Sequence, residues 1–123
     1  MIAGKVNAHC EAVVRVRVRG ANTTELEVDA IVDTSFTADM TLPSNIVTAL
    51  GLSRHSGSRM MLADGSAKQY KIYGAEVKWN GAWRPILIWC LGDEVLIGMQ
   101  LVAGHELRIA VAPGGSVEIV PLP

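Results

Sequence analysis

Hydrophobic and polar residues alternate over short stretches of this chain, which is typical of β-strands that bury one face. In Ala12–Arg19 three valines alternate with three arginines, and Glu25–Val32 continues as a second strand after the turn residues Gly20-Ala21-Asn22. Further strands are expected at residues 59–62, 69–77, 76–79, 83–90, 95–98, 107–111 and 117–120. The pattern predicts a mostly antiparallel β domain that forms a small closed or sandwich-like barrel.

Three glycine-containing segments predict tight turns between these strands. Asp64-Gly65 and Asn80-Gly81 each separate two strand-like runs, an arrangement that favours β-hairpins. Pro113-Gly114-Gly115 connects the last two runs in the same way. The second half of the chain is therefore expected to consist of consecutive hairpins.

Two segments depart from the strand pattern and predict short helices. Ser44 is expected to cap a helix at residues 45–50, which Gly51 ends. The inner side of this helix is expected to carry Ile46, Val47 and Leu50. A second helical stretch is expected at Met99–Val102.

The run Ile86-Leu87-Ile88-Trp89-Cys90 is apolar at every position, which predicts a strand buried on both sides. Trp89 is expected to pack inside, and Cys90 to act as a small hydrophobic residue. Trp79, Trp83 and Trp89 are interpreted as core or interface anchors, with a role as substrate platforms as the alternative.

Length and composition limit the class of protein. The 123 residues fit one domain spanning residues 1–123, and a chain that is 50% hydrophobic and 19% charged has the composition of a folded protein. The net charge of −1 argues against nucleic acid as a partner. The arginines of Ala12–Arg19 are interpreted as a solvated outer face, with a phosphate-binding surface as the alternative.

The sequence also sets expectations about the cellular setting. No apolar run reaches the roughly 18 residues of a membrane-spanning helix, so no membrane partner is expected. Residues 1–6 do not have the pattern of a secretory signal. Cys10 and Cys90 show neither metal-ligand spacing nor a disulfide framework, so reduced thiols and a cytoplasmic location are expected.

Motifs for several other chemistries are missing from the sequence. It contains no GxSxG, P-loop or GxGxxG motif, and no second histidine completes a helical zinc motif after His105-Glu106. His9, His55 and His105 are far apart and have no cysteine pair nearby. We therefore expect no metal and no other cofactor.

Asp33-Thr34-Ser35 is the candidate for chemistry because of what precedes it. The carboxylate follows the apolar end of a strand, Ala30-Ile31-Val32, and two small hydroxylated residues come directly after it. Burial disfavours ionisation of a carboxylate, and hydroxyl and backbone N–H donors in a tight turn offset part of that cost. The alternative is an aspartate that only caps a turn.

Four segments occur in this order along the chain: Ala30-Ile31-Val32-Asp33-Thr34-Ser35-Phe36-Thr37, Leu42-Pro43, Leu50-Gly51-Leu52 and Leu96-Ile97-Gly98-Met99. In type, order and spacing they resemble the retropepsin-like aspartic proteases. The likeness is greatest to their small prokaryotic single-domain members. It implies an all-β fold, namely a single acid-protease lobe that is a mostly antiparallel closed barrel or sandwich with one or two short helices. In that family the first segment carries the catalytic aspartate, and the apolar-apolar-Gly element packs behind it.

The resemblance also implies residue roles. Asp33, Thr34 and Ser35 correspond to the catalytic motif, and residues 62–73 to the flap that closes over a peptide. Ala63, Asp64, Gly65 and Ser66 are therefore expected to contact substrate, with an ordinary exposed turn as the alternative. The family usually has glycine where this chain has Ser35, and the added side chain either crowds the centre or donates a further hydrogen bond.

The implied activity is that of a homodimeric aspartic endopeptidase acting on peptides or proteins. Two aspartates share one proton in this chemistry, and the sequence has one such motif, so the second comes from an identical chain. Thr34 is expected to hydrogen-bond across the dimer, and the apolar residues 1–6 and 117–122 are expected to build its sheet. The alternative is a catalytically weak or inactive binding or dimerisation module of the same fold, which Ser35 keeps open.

Overall fold

The computed structural model describes residues 1–61 and 65–123, and it describes their side chains except those of residues 56–61 and 67–69. Most of the described chain is β-strand, with two short helices, α1 (Ser44–Leu50) and α2 (Met99–Val102). The strands are β1 (Ile2–Val6), β2 (Ala12–Arg19), β3 (Glu25–Val32), β4 (Met40–Leu42), β5 (Ser53–Met61), β6 (Ala67–Trp79), β7 (Ala82–Cys90), β8 (Leu96–Ile97), β9 (His105–Ile109) and β10 (Ser116–Pro121).

The strands form one sheet that closes on itself. Their order is β5-β6-β7-β4-β8-β3-β2-β1-β10-β9, and a further pairing of β6 with β2 joins six of them into a barrel. The pairs β3–β8 and β4–β7 are parallel, and the other pairs are antiparallel. The expectation of a mostly antiparallel closed barrel with short helices is therefore confirmed.

The core lies inside this barrel and follows the alternation along the strands. Val14, Val16 and Val18 of β2 are buried, whereas the arginines between them are on the outside. Between β6 and β7, Asn80 and Gly81 have φ angles of 52° and 82°, as a two-residue hairpin turn requires. The hairpin that Asn80-Gly81 indicates is therefore present.

Helix α1 begins one residue earlier than expected. Pro43, not Ser44, is its N-cap, and no side chain caps this end of the helix. The Pro43 carbonyl instead accepts the N–H groups of Ile46 and Val47, both at 3.1 Å. Gly51 ends the helix with a φ of 62°, as expected. Neither described helix is long and apolar enough to cross a membrane.

Strand β7 corrects the prediction of burial on both sides. Ile86 and Ile88 are buried, but Leu87 is 38% exposed and Trp89 is only half-buried. The reason is that β7 is part of the barrel wall, so only its inner face contacts the core. Cys90 lies on that inner face and packs against the core as a small hydrophobic residue.

The arginines of β2 are neutralised by carboxylates on the outer surface. Arg15 pairs with Asp29 at 2.8 Å, Arg19 with Glu76 at 3.0 Å, and Arg17 lies 3.8 Å from Glu25. A phosphate would have to displace these carboxylates. The arrangement favours the solvated outer face over the phosphate-binding alternative.

The Arg15–Asp29 pair makes stability depend on pH. The hydrogen bond from Arg15 lowers the pKa of Asp29 below its ordinary value. Because the folded-state pKa is lowered, the pair stabilises the fold above the ordinary pKa, and this contribution is lost as the pH falls through the lowered one. We expect Asp29→Asn to be slightly less stable than wild type at neutral pH.

Urea unfolding of the two proteins at pH 7 and at about pH 2 checks this expectation. The difference between the two proteins should be smaller at the lower pH. The effect is small because both side chains are more than half exposed. A difference that grows with acidification would contradict the sign of the shift.

Candidate active site

Asp33 directly follows β3, and the neighbouring strand β8 holds its backbone in place. Val32 pairs with Ile97 in the parallel β3–β8 ladder, and the Asp33 N–H continues that ladder by donating to the Ile97 carbonyl at 2.9 Å. The Asp33 residue is half-buried at the end of the barrel strand. Two strands that are distant in sequence thus fix the position of the carboxylate.

Ser35 donates two hydrogen bonds to the carboxylate. Its backbone N–H reaches Asp33 Oδ1 at 2.9 Å, and its hydroxyl reaches the same oxygen at 2.5 Å. The Phe36 N–H closes the turn by donating to the Asp33 carbonyl at 3.2 Å. Of the two alternatives for the added side chain, this geometry favours donation over crowding.

Gly98 allows the segment after β8 to pack directly behind the aspartate loop, which is residues 33–39 between β3 and β4. Its N–H donates to the Asp39 carbonyl at 2.9 Å, and the next N–H, of Met99, donates to the Phe36 carbonyl at 2.8 Å. A Cβ on Gly98 would lie 2.0 Å from the Ala38 oxygen. Only glycine fits at this approach, so the apolar-apolar-Gly element lies where the resemblance implies.

Two further polar residues support the loop, and the sequence analysis did not identify them. Asp39 Oδ2 accepts the Leu87 N–H of β7 at 3.0 Å. The fully buried Thr41 donates to the Glu94 carbonyl at 3.0 Å and accepts the Leu96 N–H at 2.9 Å. The one signal in the sequence is a threonine inside the apolar run Met40-Thr41-Leu42.

A hollow of about 370 Å³ opens on one side of the loop. Asp33 and Thr34 line it together with apolar residues, among them Leu96, Ile109 and Val111. Thr34 is exposed, and Val111 is 68% exposed. Glu11 and Glu94 also line the hollow, so the Asp33 carboxylate lies next to an open surface of mixed apolar and acidic character.

A row of aromatic rings connects the loop to the β5–β6 hairpin. The Phe36 ring meets the Trp89 ring edge-on with centroids 6.3 Å apart, and the Tyr70 ring lies 6.2 Å from the Trp89 ring. Trp79 is buried in the core, and Trp83 lies on the outside under the Arg19 guanidinium at 4.0 Å. Of the three tryptophans, Trp89 is thus the one placed beside the aspartate loop.

The hairpin that carries the expected flap is present up to its tip. β5 and β6 pair antiparallel as far as Met61 and Ala67. Gly65 and Ser66 are exposed, and Gly65 has a φ of 85°. Ala63 and Asp64 lie outside the described residues, so the expected substrate contacts of this tip stay a prediction.

Solved structures of other proteins share this architecture, and two of them are described here. A retropepsin-like aspartic protease from Rickettsia conorii matches with a TM-score of 0.59 and 16% identity, covering 94% of this chain and 87% of its own. The EIAV protease complexed with the inhibitor HBY-793 matches with a TM-score of 0.55 and 14% identity, covering 75% and 85%. This chain has the retropepsin-like fold. At this identity the likeness establishes the fold alone; no protein-family model and no curated protein matches the sequence.

Proposed function

We propose that this retropepsin-like chain is an aspartic endopeptidase that works as a homodimer, with Asp33 of each chain as one half of the catalytic pair. The observation that carries the proposal is the setting of Asp33 in this fold. Its backbone is held by β8, its carboxylate accepts two hydrogen bonds from Ser35, and it lies beside an open hollow.

The chemistry needs two carboxyl groups in different protonation states. The ionised one removes a proton from water, which then attacks the peptide carbonyl, and the protonated one polarises that carbonyl and later protonates the leaving nitrogen. Two like charges a few ångströms apart do not both ionise, so the pair holds one proton between them. The two hydrogen bonds from Ser35 fix the orientation of the Asp33 carboxylate.

The described aspartates nearest to Asp33 in sequence are engaged elsewhere. Asp29 pairs with Arg15 on the outer face, and Asp39 accepts the Leu87 N–H. Asp29 thereby joins β3 to β2, and Asp39 joins the aspartate loop to β7. This supports a second copy of the chain as the source of the second carboxyl group, with Thr34 of each copy bracing the pair.

The substrate we propose is an extended peptide lying between the Asp33 loop and the β5–β6 hairpin. Gly65 and Ser66 belong to the tip of that hairpin, and the proposed peptide contacts include those predicted from the sequence for Ala63 and Asp64. A tip of small residues suits a cover that opens to admit a peptide and closes to exclude water. Exclusion of water strengthens the interactions of the carboxyl pair with the reacting carbonyl.

A catalytically inactive dimerisation module of the same fold is the second candidate. The observation that favours it is Ser35, since the family usually has glycine at this position. A peptide analogue with a hydroxyl-bearing tetrahedral carbon, of the statine type, separates the two candidates because it mimics the intermediate of hydrolysis. We expect it to inhibit cleavage of a peptide library competitively, whereas a chain that cleaves no member of the library would support the inactive module.

Removing the Ser35 hydroxyl is expected to weaken catalysis moderately. Ser35→Ala loses the Oγ bond to Asp33 but keeps the backbone N–H bond, so we expect kcat to fall roughly three- to tenfold with little change in KM. Steady-state kinetics on one cleaved peptide measures both constants. Ser44→Ala is the matched control because Ser44 is exposed and caps nothing. A variant faster than wild type would show that the Ser35 side chain crowds the site.

A further inference from the structure

Glu94 lines the hollow beside the aspartate loop, and a buried side chain holds the backbone around it. The fully buried Thr41 donates its hydroxyl to the Glu94 carbonyl at 3.0 Å and accepts the Leu96 N–H at 2.9 Å. The next carbonyl along the chain, that of Val95, accepts the Ile31 N–H at 2.9 Å. Contacts with β3 and β4 therefore fix the segment that carries Glu94 beside the hollow.

Glu11 lines the same hollow from the connection between β1 and β2. Its Oε1 accepts the side-chain N–H of Asn7 at 2.9 Å, and its backbone N–H donates to Asn7 Oδ1 at 2.9 Å. These two bonds hold the half-buried Glu11 in place. Two separate segments of the chain thus each bring a carboxylate to the hollow, in addition to that of Asp33.

The negative charge around the hollow is not neutralised by the residues that line it. Within the part of the chain that the structure describes, none of the lining residues is lysine, arginine or histidine, and neither Glu11 nor Glu94 pairs with a cation. The carboxylates of Asp29, Glu76 and Glu106 differ, because each lies within 3.0 Å of an arginine nitrogen. Carboxylates without a cation beside an apolar wall favour a ligand that is both long and positively charged.

We propose that the hollow receives a basic side chain of the substrate, lysine or arginine, next to the peptide bond that is cleaved. The methylene stem of such a side chain packs on the apolar wall that includes Val32 and Leu96, and Glu94 and Glu11 attract its charged end. The inference rests on the proposed function, because the cleaved bond has to lie at the Asp33 carboxylate, which adjoins the same hollow.

Peptides that differ in one side chain test this specificity. Each pair is built on one peptide of the library and carries either lysine or the uncharged norleucine, at one of the two positions that flank the cleaved bond. We expect wild type to cleave the lysine peptide with a kcat/KM about fivefold higher near neutral pH, a modest factor because Glu94 is exposed. In Glu94→Gln the ratio of the two kcat/KM values should fall toward one.

Asp93→Asn is the matched control for Glu94→Gln. It removes the same charge one residue earlier, from an exposed side chain that does not line the hollow. We expect it to keep the wild-type preference for the lysine peptide. Loss of the preference in both variants would show that net charge, and not the hollow, determines it.

Charge reversal at Glu94 gives a result that a merely structural role would not produce. In Glu94→Lys the preference should shift away from the lysine peptide and toward a peptide with glutamate at the same position. A Glu94→Lys protein that cleaves all of these peptides more slowly by the same factor would show that Glu94 only supports the fold, and would overturn the inference.

Binding to Asp33→Asn separates this inference from the proposed hydrolase activity. Isothermal titration calorimetry of the lysine and norleucine peptides on Asp33→Asn, with and without Glu94→Gln, measures the preference without cleavage. A preference for lysine that depends on Glu94, in a chain that cleaves nothing, keeps the basic-side-chain site and removes the protease. Cleavage that depends on Asp33 but treats the two peptides alike keeps the protease and overturns the inference. A chain that neither cleaves nor binds the peptides overturns both.

Discussion

Asp33→Asn is expected to reduce peptide cleavage by about a thousandfold or more, because the amide can neither accept a proton from water nor share one with a second carboxyl group. The fold should survive, since the half-buried Asp33 side chain accepts hydrogen bonds from Ser35 alone within the part of the chain that the structure describes, and an amide oxygen can accept the same two donors. Cleavage of a mixed peptide library by wild type and variant, at mildly acidic to neutral pH, measures the effect.

Asp29→Asn is the matched control for this substitution. It makes the same chemical change four residues earlier, at a carboxylate that pairs with Arg15 on the outer face. We expect it to cleave the library at close to the wild-type rate. Equal cleavage by Asp33→Asn and wild type would refute the hydrolase assignment, and circular dichroism would show whether the variant is folded.

Mixing the same variant with wild type tests whether two chains build one site. A mixed dimer contains one aspartate and one asparagine, so excess Asp33→Asn chains should lower the activity of a fixed amount of wild type. A site complete within a single chain would be unaffected by the added variant. The titration therefore distinguishes a shared carboxyl pair from a monomeric mechanism, even before a structure of the dimer is known.

Local signals in the sequence predict much of this fold correctly. Asn80-Gly81 indicates a hairpin because both residues adopt positive φ, which few other pairs do without strain. Gly51 indicates a helix end for the same reason. The alternation in β2 and β3 also determines which face is buried, because each of these strands has one side on the core.

The sequence is less informative where the outcome depends on distant parts of the chain. Trp89 lies in an apolar run, but its exposure depends on which side of the barrel wall it occupies, and periodicity cannot show that. Asp39 and Thr41 support the aspartate loop through Leu87, Glu94 and Leu96, partners that are 48 to 55 residues away. Such contacts arise only when the barrel closes.

The Asp33 loop itself lies between these two cases. Its residue types and its place after an apolar strand mark it as a candidate in the sequence. The two hydrogen bonds from Ser35 and the anchoring to Ile97 come from the structure. The three-residue motif is weak evidence on its own. The structure adds to it the donors that the Asp33 carboxylate binds and the strand that holds the Asp33 backbone.

Gly98→Ala is expected to have the largest effect on stability, although Gly98 touches none of the reacting groups. The new Cβ would lie 2.0 Å from the Ala38 carbonyl oxygen and 2.6 Å from a Phe36 ring carbon. Because the first of these is a backbone atom in a hydrogen-bonded loop, the loop or β8 must move, at a cost of about 3 kcal/mol or more in the free energy of unfolding. Urea unfolding monitored by tryptophan fluorescence measures that change.

Gly74→Ala is the matched control, because a Cβ at Gly74 on β6 meets no atom within 4 Å and its φ is not positive. We expect it to unfold within about 0.5 kcal/mol of wild type. The fraction of Gly98→Ala that remains folded should also cleave peptides more slowly than wild type. The N–H groups of Gly98 and Met99 hold the aspartate loop by donating to its Asp39 and Phe36 carbonyls, and the substitution would shift these bonds. A Gly98→Ala protein as stable as the Gly74→Ala control would contradict this packing, and with it the placement of the Leu96-Ile97-Gly98 segment behind Asp33.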